Sequence, residues 1–182
     1  MEDVAKNFLV IKMLEGMRRL NKTNDSRLPI TPILLEKILF MLPAVCFNRY
    51  EALLFQAAYS LAFFAFLRVG EICLSVGNVK DSILQLNDVS FHPDKSKLFL
   101  EFRRSKTDQT ANGVTMCINE IGGRVCPIKC LREYLHVRSK GKGPLFCHVG
   151  GEPLTRSQFS SVLDKALKAC KFRATTNLTH FG

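Results

Sequence analysis

Two short stretches of this sequence hold side chains suited to a phosphate group. The first is Leu67-Arg68-Val69-Gly70-Glu71-Ile72. It closes an uncharged run, Ala52 to Leu67 (ALLFQAAYSLAFFAFL), that is apolar on every side. A helix made of such a run is buried all round. Arg68 keeps its charge at every pH a protein meets. A guanidinium at the rim of a core is costly unless an anion meets it. Glu71, one helical turn on, is one candidate, and the result would be a buried ion pair that only organises the fold. A phosphate is the other, because the planar guanidinium matches phosphate oxygens. The second stretch is Ser105-Lys106-Thr107-Asp108-Gln109, directly after Arg103 and Arg104. A hairpin-tip lysine is either a solvated turn residue or a group that reaches a phosphate or a nucleic-acid groove. Between Lys95 and Lys106, the positive residues Lys95, Lys97, Arg103, Arg104 and Lys106 are opposed only by Glu101.

Cys126-x3-Cys130 with His136 nearby is the closest approach to a metal set. It lacks the paired Cys-x-x-Cys spacing of structural zinc sites, and cysteine often fills cores as a small hydrophobe. No metal or cofactor is expected. The seven cysteines are odd in number and scattered, which argues for a reducing, intracellular setting rather than a disulfide framework.

The elements that must position Arg68 and Lys106 follow from pattern. Val4, Phe8, Ile11, Leu14 and Met17 give an amphipathic helix over 4–20, and the polar stretch 21–27 reads as a linker. Thr31-Pro32 opens a helix to about Met41, before Pro43. The next helix runs from about Asn48 through the apolar stretch to Arg68. Val89 to Phe91 is a short strand. Leu98, Leu100 and Phe102 alternate with Phe99, Glu101 and Arg103 in a half-buried strand, and Val114, Met116 and Ile118 form a second alternating run, giving a hairpin with a long tip. Pro127 begins a helix to about Val137, with Ile128, Leu131 and Leu135 on one face. Ser139 to Gly143 (SKGKG) is a flexible basic loop. Thr155-x-x-Gln158 has the form of a capping box that starts the last helix. The fold class is therefore α+β, mostly helical, with one small three-stranded antiparallel sheet.

The totals agree with a folded, polyanion-binding domain. Hydrophobic residues make up 47% of 182, enough for a real core. Lys and Arg number 26 against 16 Asp and Glu, a formal charge of +10. That excess points to nucleic acid before membrane. Further basic residues lie at Arg124, Lys129, Arg132, Arg138, Lys140 and Lys142, and at Lys165, Lys168, Lys171 and Arg173. Basic groups spread over several elements suit a protein that wraps a duplex backbone. The longest apolar run has 16 residues, and a membrane span needs about 20.

FLRVGEI at the end of an apolar helix, SKTDQ in the second hairpin, then CPIKCLREYL, PLF and LTRSQF, in that order, resemble the catalytic domain of tyrosine recombinases, the phage-integrase family. The style is that of crypton-like members from eukaryotic mobile elements. The resemblance covers roughly Leu28 to Gly182. It implies an end of a core-binding helical domain over 1–22, a linker over 23–30 and a catalytic domain over 31–182, acting on double-stranded DNA inside the cell, in the nucleus if the host is eukaryotic. Arg68 matches the family's first catalytic arginine, which holds the scissile phosphate. Lys106 matches the hairpin lysine, a general acid toward the leaving oxygen. Glu71 matches the acidic residue that supports the site. Arg103, Arg104, Thr107, Gln109 and Lys97 are expected near DNA, where protomers also meet. The family's chemistry uses a tyrosine nucleophile and no metal.

The pattern departs where that chemistry needs it most. No His-x-x-Arg occurs in these 182 residues, since His180 is followed only by Phe181 and Gly182. The three tyrosines, Tyr50, Tyr59 and Tyr134, all lie upstream of where the resemblance puts the nucleophile. The expectation is a C-terminally truncated domain that does not cut DNA as it stands.

Overall fold

The structure, a computed structural model, describes residues 29–75, 82–102 and 113–170. Helix α1 is Pro32–Val45. Thr31 caps it, its hydroxyl accepting from the Leu34 N–H at 3.2 Å, and Pro32 sits where a missing N–H costs nothing. The sequence expectation ended this helix near Met41, but it runs through Pro43. Proline at that position leaves the Leu39 carbonyl without its helical donor. The Gln56 amide, reaching across from the next helix, donates to that carbonyl at 3.3 Å and makes good the loss.

Helix α2 is Arg49–Phe64, capped by Asn48, whose side chain accepts from the Glu51 N–H at 2.9 Å. It carries the uncharged run into the core, where Leu54, Phe55, Ala57, Ala58, Tyr59 and Leu61 are fully buried or nearly so. The helix expected to reach Arg68 stops at Phe64, and a separate short helix α3, Val69–Ile72, follows. A single 3₁₀ turn, Leu86–Asp88, leads into strand β1, Val89–Phe91. Strands β2, Lys97–Phe102, and β3, Val114–Asn119, complete one antiparallel sheet in the order β1-β2-β3. Val89 pairs with Leu100, and Leu100 with Met116, so one face presents Leu98, Leu100 and Ile118 to the core.

Helix α4 is Pro127–Val137 and helix α5 is Arg156–Ala169. Thr155 and Gln158 form the expected capping box: Gln158 N–H donates to the threonine hydroxyl at 3.3 Å, and Thr155 N–H to Gln158 Oε1 at 3.0 Å. Helices α2 and α4 pack closely, and α1 lies against both α2 and α5. The architecture is the α+β arrangement of helices around one small sheet. Among the described residues no helix is long and apolar enough to cross a membrane.

Candidate active site

Helix α2 ends in a Schellman turn, in which the Leu67 N–H reaches back to the Ala62 carbonyl at 3.0 Å. The turn requires a left-handed residue, and Phe66 supplies it with φ 51°. Glycine is usual there. A bulky side chain in that region costs about 1–2 kcal/mol. Phe66 recovers none of it by burial, since it is 82% exposed. The reversal separates α2 from α3 and sets up an alternation: Leu67 in, Arg68 out, Val69 in. The two buried neighbours fix the backbone while the Arg68 side chain stands in solvent.

Glu71 does not play the ion-pair role open to it in the sequence. Its Oε2 accepts from the Arg68 backbone N–H at 2.8 Å, capping the N-terminus of α3. Among the described residues no carboxylate pairs with the Arg68 guanidinium. The planar group is therefore presented by a fixed turn, with no described carboxylate to neutralise it. The Glu71 carbonyl accepts from the Leu84 N–H at 2.7 Å. The Leu84 carbonyl accepts in turn from Leu145 at 2.8 Å, and Leu74 exchanges backbone bonds with Leu154 and Arg156. The Arg68 turn is thus laced to the segment between α4 and α5.

Lys106 lies in 103–112, outside the described residues, as do Arg103, Arg104, Thr107 and Gln109. The strands that carry this tip are described, and their last pair is Phe102 with Val114. Lys97 pairs with Asn119 at the other end of β2. Five residues of strand, roughly 17 Å, separate it from Phe102. The sequence grouped Lys95 and Lys97 with the arginines of the tip, but these lysines and the tip belong to opposite ends of the sheet. Lys97 is exposed. Near it the turn is held by Asp94, which accepts from the backbone and hydroxyl of Ser96 and pairs with His92 at 2.8 Å. These bonds hold the Asp94 carboxyl well below its usual range, the Ser96 bonds first.

Two basic residues counted toward the polyanion surface are spoken for. Lys168 pairs with Asp164 at 2.6 Å along α5. Arg138 is buried, 8% exposed, and its guanidinium donates to four carbonyls: Leu145 at 3.0 Å, Ser139 at 2.8 Å, Gly141 at 3.3 Å and Pro144 at 2.7 Å. The signal was present in the sequence. Ile128, Leu131 and Leu135 lie on one face of α4, and the next step of that series is Arg138. The loop 139–143, expected to be flexible, is anchored by this residue.

All three tyrosine hydroxyls are in use as latches. Tyr59 donates to the Phe159 carbonyl at 2.8 Å, and Tyr50 to the Cys147 carbonyl at 2.7 Å. Tyr134 donates to the Cys147 carbonyl and accepts from the Cys147 N–H, both at 3.0 Å. Burial disfavours the phenolate and pushes the pKa of each above the ordinary phenol range. Thiols follow the same rule: burial pushes Cys73 up to about 12 and Cys130 up to about 11. Cys126 and Cys130 sit in the core, and the Cys130 thiol donates to the Arg124 carbonyl at 3.4 Å. Among the described residues no three His, Cys, Asp or Glu side chains gather as a metal set.

Solved recombinase structures share this fold. A XerH site-specific recombinase bound to its difH substrate before cleavage superposes with a TM-score of 0.59 at 14% identity, over 88% of this chain and 42% of that one. The post-cleavage complex on palindromic difH gives 0.59 at 15% identity, over 89% and 42%. The chain has the tyrosine-recombinase catalytic fold. It spans less than half the length of these recombinases. No family model matches the sequence, and no curated protein sequence matches it. The recombinase fold is therefore carried here by a sequence that shares little with its structural neighbours beyond pattern and architecture.

Proposed function

We propose that this chain is a DNA-binding, recombinase-like catalytic domain in which Arg68 holds a backbone phosphate and Lys106 approaches the same phosphodiester from the hairpin tip. The observation that carries the reading is the exposed Arg68 guanidinium, free of any described carboxylate, on a turn whose backbone is fixed by Glu71 and by buried neighbours. The recombinase fold and the charge of +10 support it. Glu71 acts through the backbone, as a positioning residue. Arg103, Arg104, Thr107 and Gln109 are assigned to the duplex-facing set from sequence pattern, and Lys97, at the other end of the sheet, to a separate contact; the 1–22, 23–30 and 31–182 divisions and the crypton-like, mobile-element character rest on the sequence resemblance. The hydroxyls of Tyr50, Tyr59 and Tyr134 are committed to carbonyls, so none of these three is the nucleophile in this reading.

The test is duplex binding followed against salt. Neutralising several phosphates makes log K fall with log salt at about 0.9 per contact. We expect a steep fall. A flat response rejects the reading.

One observation favours a second reading, a protein-interaction remnant. Ile33 and Phe40 of α1, 70% and 69% exposed, line a groove of about 690 Å³ with Pro43, Cys130 and Cys170. Salt-insensitive DNA binding together with stable capture of a partner at this groove would favour that reading over the first.

A further inference from the structure

We propose that the loop 139–144 is a second contact for a nucleic-acid backbone, held in shape by Arg138 and presented through Lys140 and Lys142; the proposal rests on the duplex-binding reading above. Runs such as SKGKG usually pay a large ordering cost on binding, because glycine-rich chain is free in the unbound state. This loop is ordered beforehand. The buried Arg138 guanidinium gathers the carbonyls of Ser139, Gly141, Pro144 and Leu145 around itself. The Ser139 hydroxyl donates to the Val149 carbonyl at 2.6 Å, and the Leu86 N–H to the Gly143 carbonyl at 2.9 Å. Wrapping a chain so tightly needs left-handed residues. Gly141 and Gly143 provide them, with φ 137° and 128°. An added Cβ at either would meet nothing within 4 Å, so the requirement is one of backbone angle, not of space.

The two lysines are left outside this arrangement. Both are exposed, and among the described residues neither has a carboxylate partner. The loop is also tied to the Arg68 turn. Glu71, Leu84 and Leu145 are linked by successive backbone bonds. A ligand that meets both the Arg68 turn and this loop must carry more than one anionic group. A nucleic-acid backbone does so. Arg138 touches no ligand in this scheme; it is a positioning residue.

The experiment uses the 182-residue chain and a fluorescent duplex, with log K measured against log salt. Lys140→Ala with Lys142→Ala should make the slope shallower by about 1.8, the share of two phosphate contacts, with the melting temperature unchanged. Gly141→Ala with Gly143→Ala keeps every charge but disturbs the loop, and should lower the slope in the same direction. Adding the lysine changes to the glycine changes should then cost little more. If the wild type shows a steep slope and the lysine variant keeps it, the loop proposal is overturned while duplex binding stands. If the wild type does not bind, both fall. If the glycine and lysine effects add in full, Arg138 does not position the lysines and that part is overturned.

Discussion

Arg68 and Arg138 carry the same group to opposite fates. Each follows a helix, Arg68 between buried Leu67 and Val69 and Arg138 after exposed Val137. Arg68 stands in solvent at the start of α3, with its neighbour Glu71 occupied by a backbone N–H. Arg138 is drawn inward at the end of α4 and spends its donors on four carbonyls. From sequence the roles looked reversed: a buried ion pair was open to Arg68, and Arg138 was counted among the surface cations. The difference lies in the backbone ahead of each. A left-handed Phe66 swings the chain out of the α2 axis, so Arg68 leaves the buried face. Nothing interrupts α4, so Arg138 stays on the face set by Ile128 and Leu131. A guanidinium's role is fixed by where the chain turns before it, more than by the company of charges in sequence.

The largest test of this contrast is Arg138→Met, which keeps an apolar stem and removes every donor. Four carbonyls, that of buried Leu145 among them, lose their partner at once. We expect a loss of roughly 3–5 kcal/mol, the scale for breaking a buried charged network, read as a lower urea midpoint at unchanged slope. A loss under about 1 kcal/mol would mean that water replaces the clamp and that Arg138 is buried only in appearance.

A smaller effect is expected at Phe66. Phe66→Gly removes a bulky residue from left-handed backbone and should stabilise by about 1 kcal/mol. Phe66→Ala keeps the backbone strain and removes only an exposed ring, so it should change stability little. Equal stability of the two variants would show that the turn carries no strain, and the account of how Arg68 is turned outward would need another cause.

Much of the architecture was legible from pattern. Strand β1, helix α4 and the Thr155–Gln158 cap lie where turn chemistry and periodicity put them. These are features decided within a few residues. What escaped was decided across the chain. The passage of α1 through Pro43 depends on an amide from Gln56, thirteen residues further on and in another helix. The end of α2 depends on a phenylalanine accepting a conformation that its own type disfavours, which no propensity records. The candidate site was half legible for the same reason. Its residue types and order could be read, and so could the recombinase resemblance. The exposure of Arg68 could not, because it follows from the left-handed turn at Phe66, whereas the burial of Arg138 was written in the α4 face and overlooked.

The smallest expected effect on stability is at Arg68 itself, and it sharpens the contrast most. Arg68→Ala removes a side chain that makes no described ion pair and buries little. Folding stability should move by no more than about 0.5 kcal/mol. Duplex binding should still respond, because one phosphate contact is lost, and the slope of log K against log salt should fall by about 0.9. A residue that costs nothing to remove from the fold yet registers in the salt response has its partner outside the protein. The reverse outcome, a large loss of stability with an unchanged slope, would make Arg68 a second Arg138: a group whose charge is consumed by its own chain.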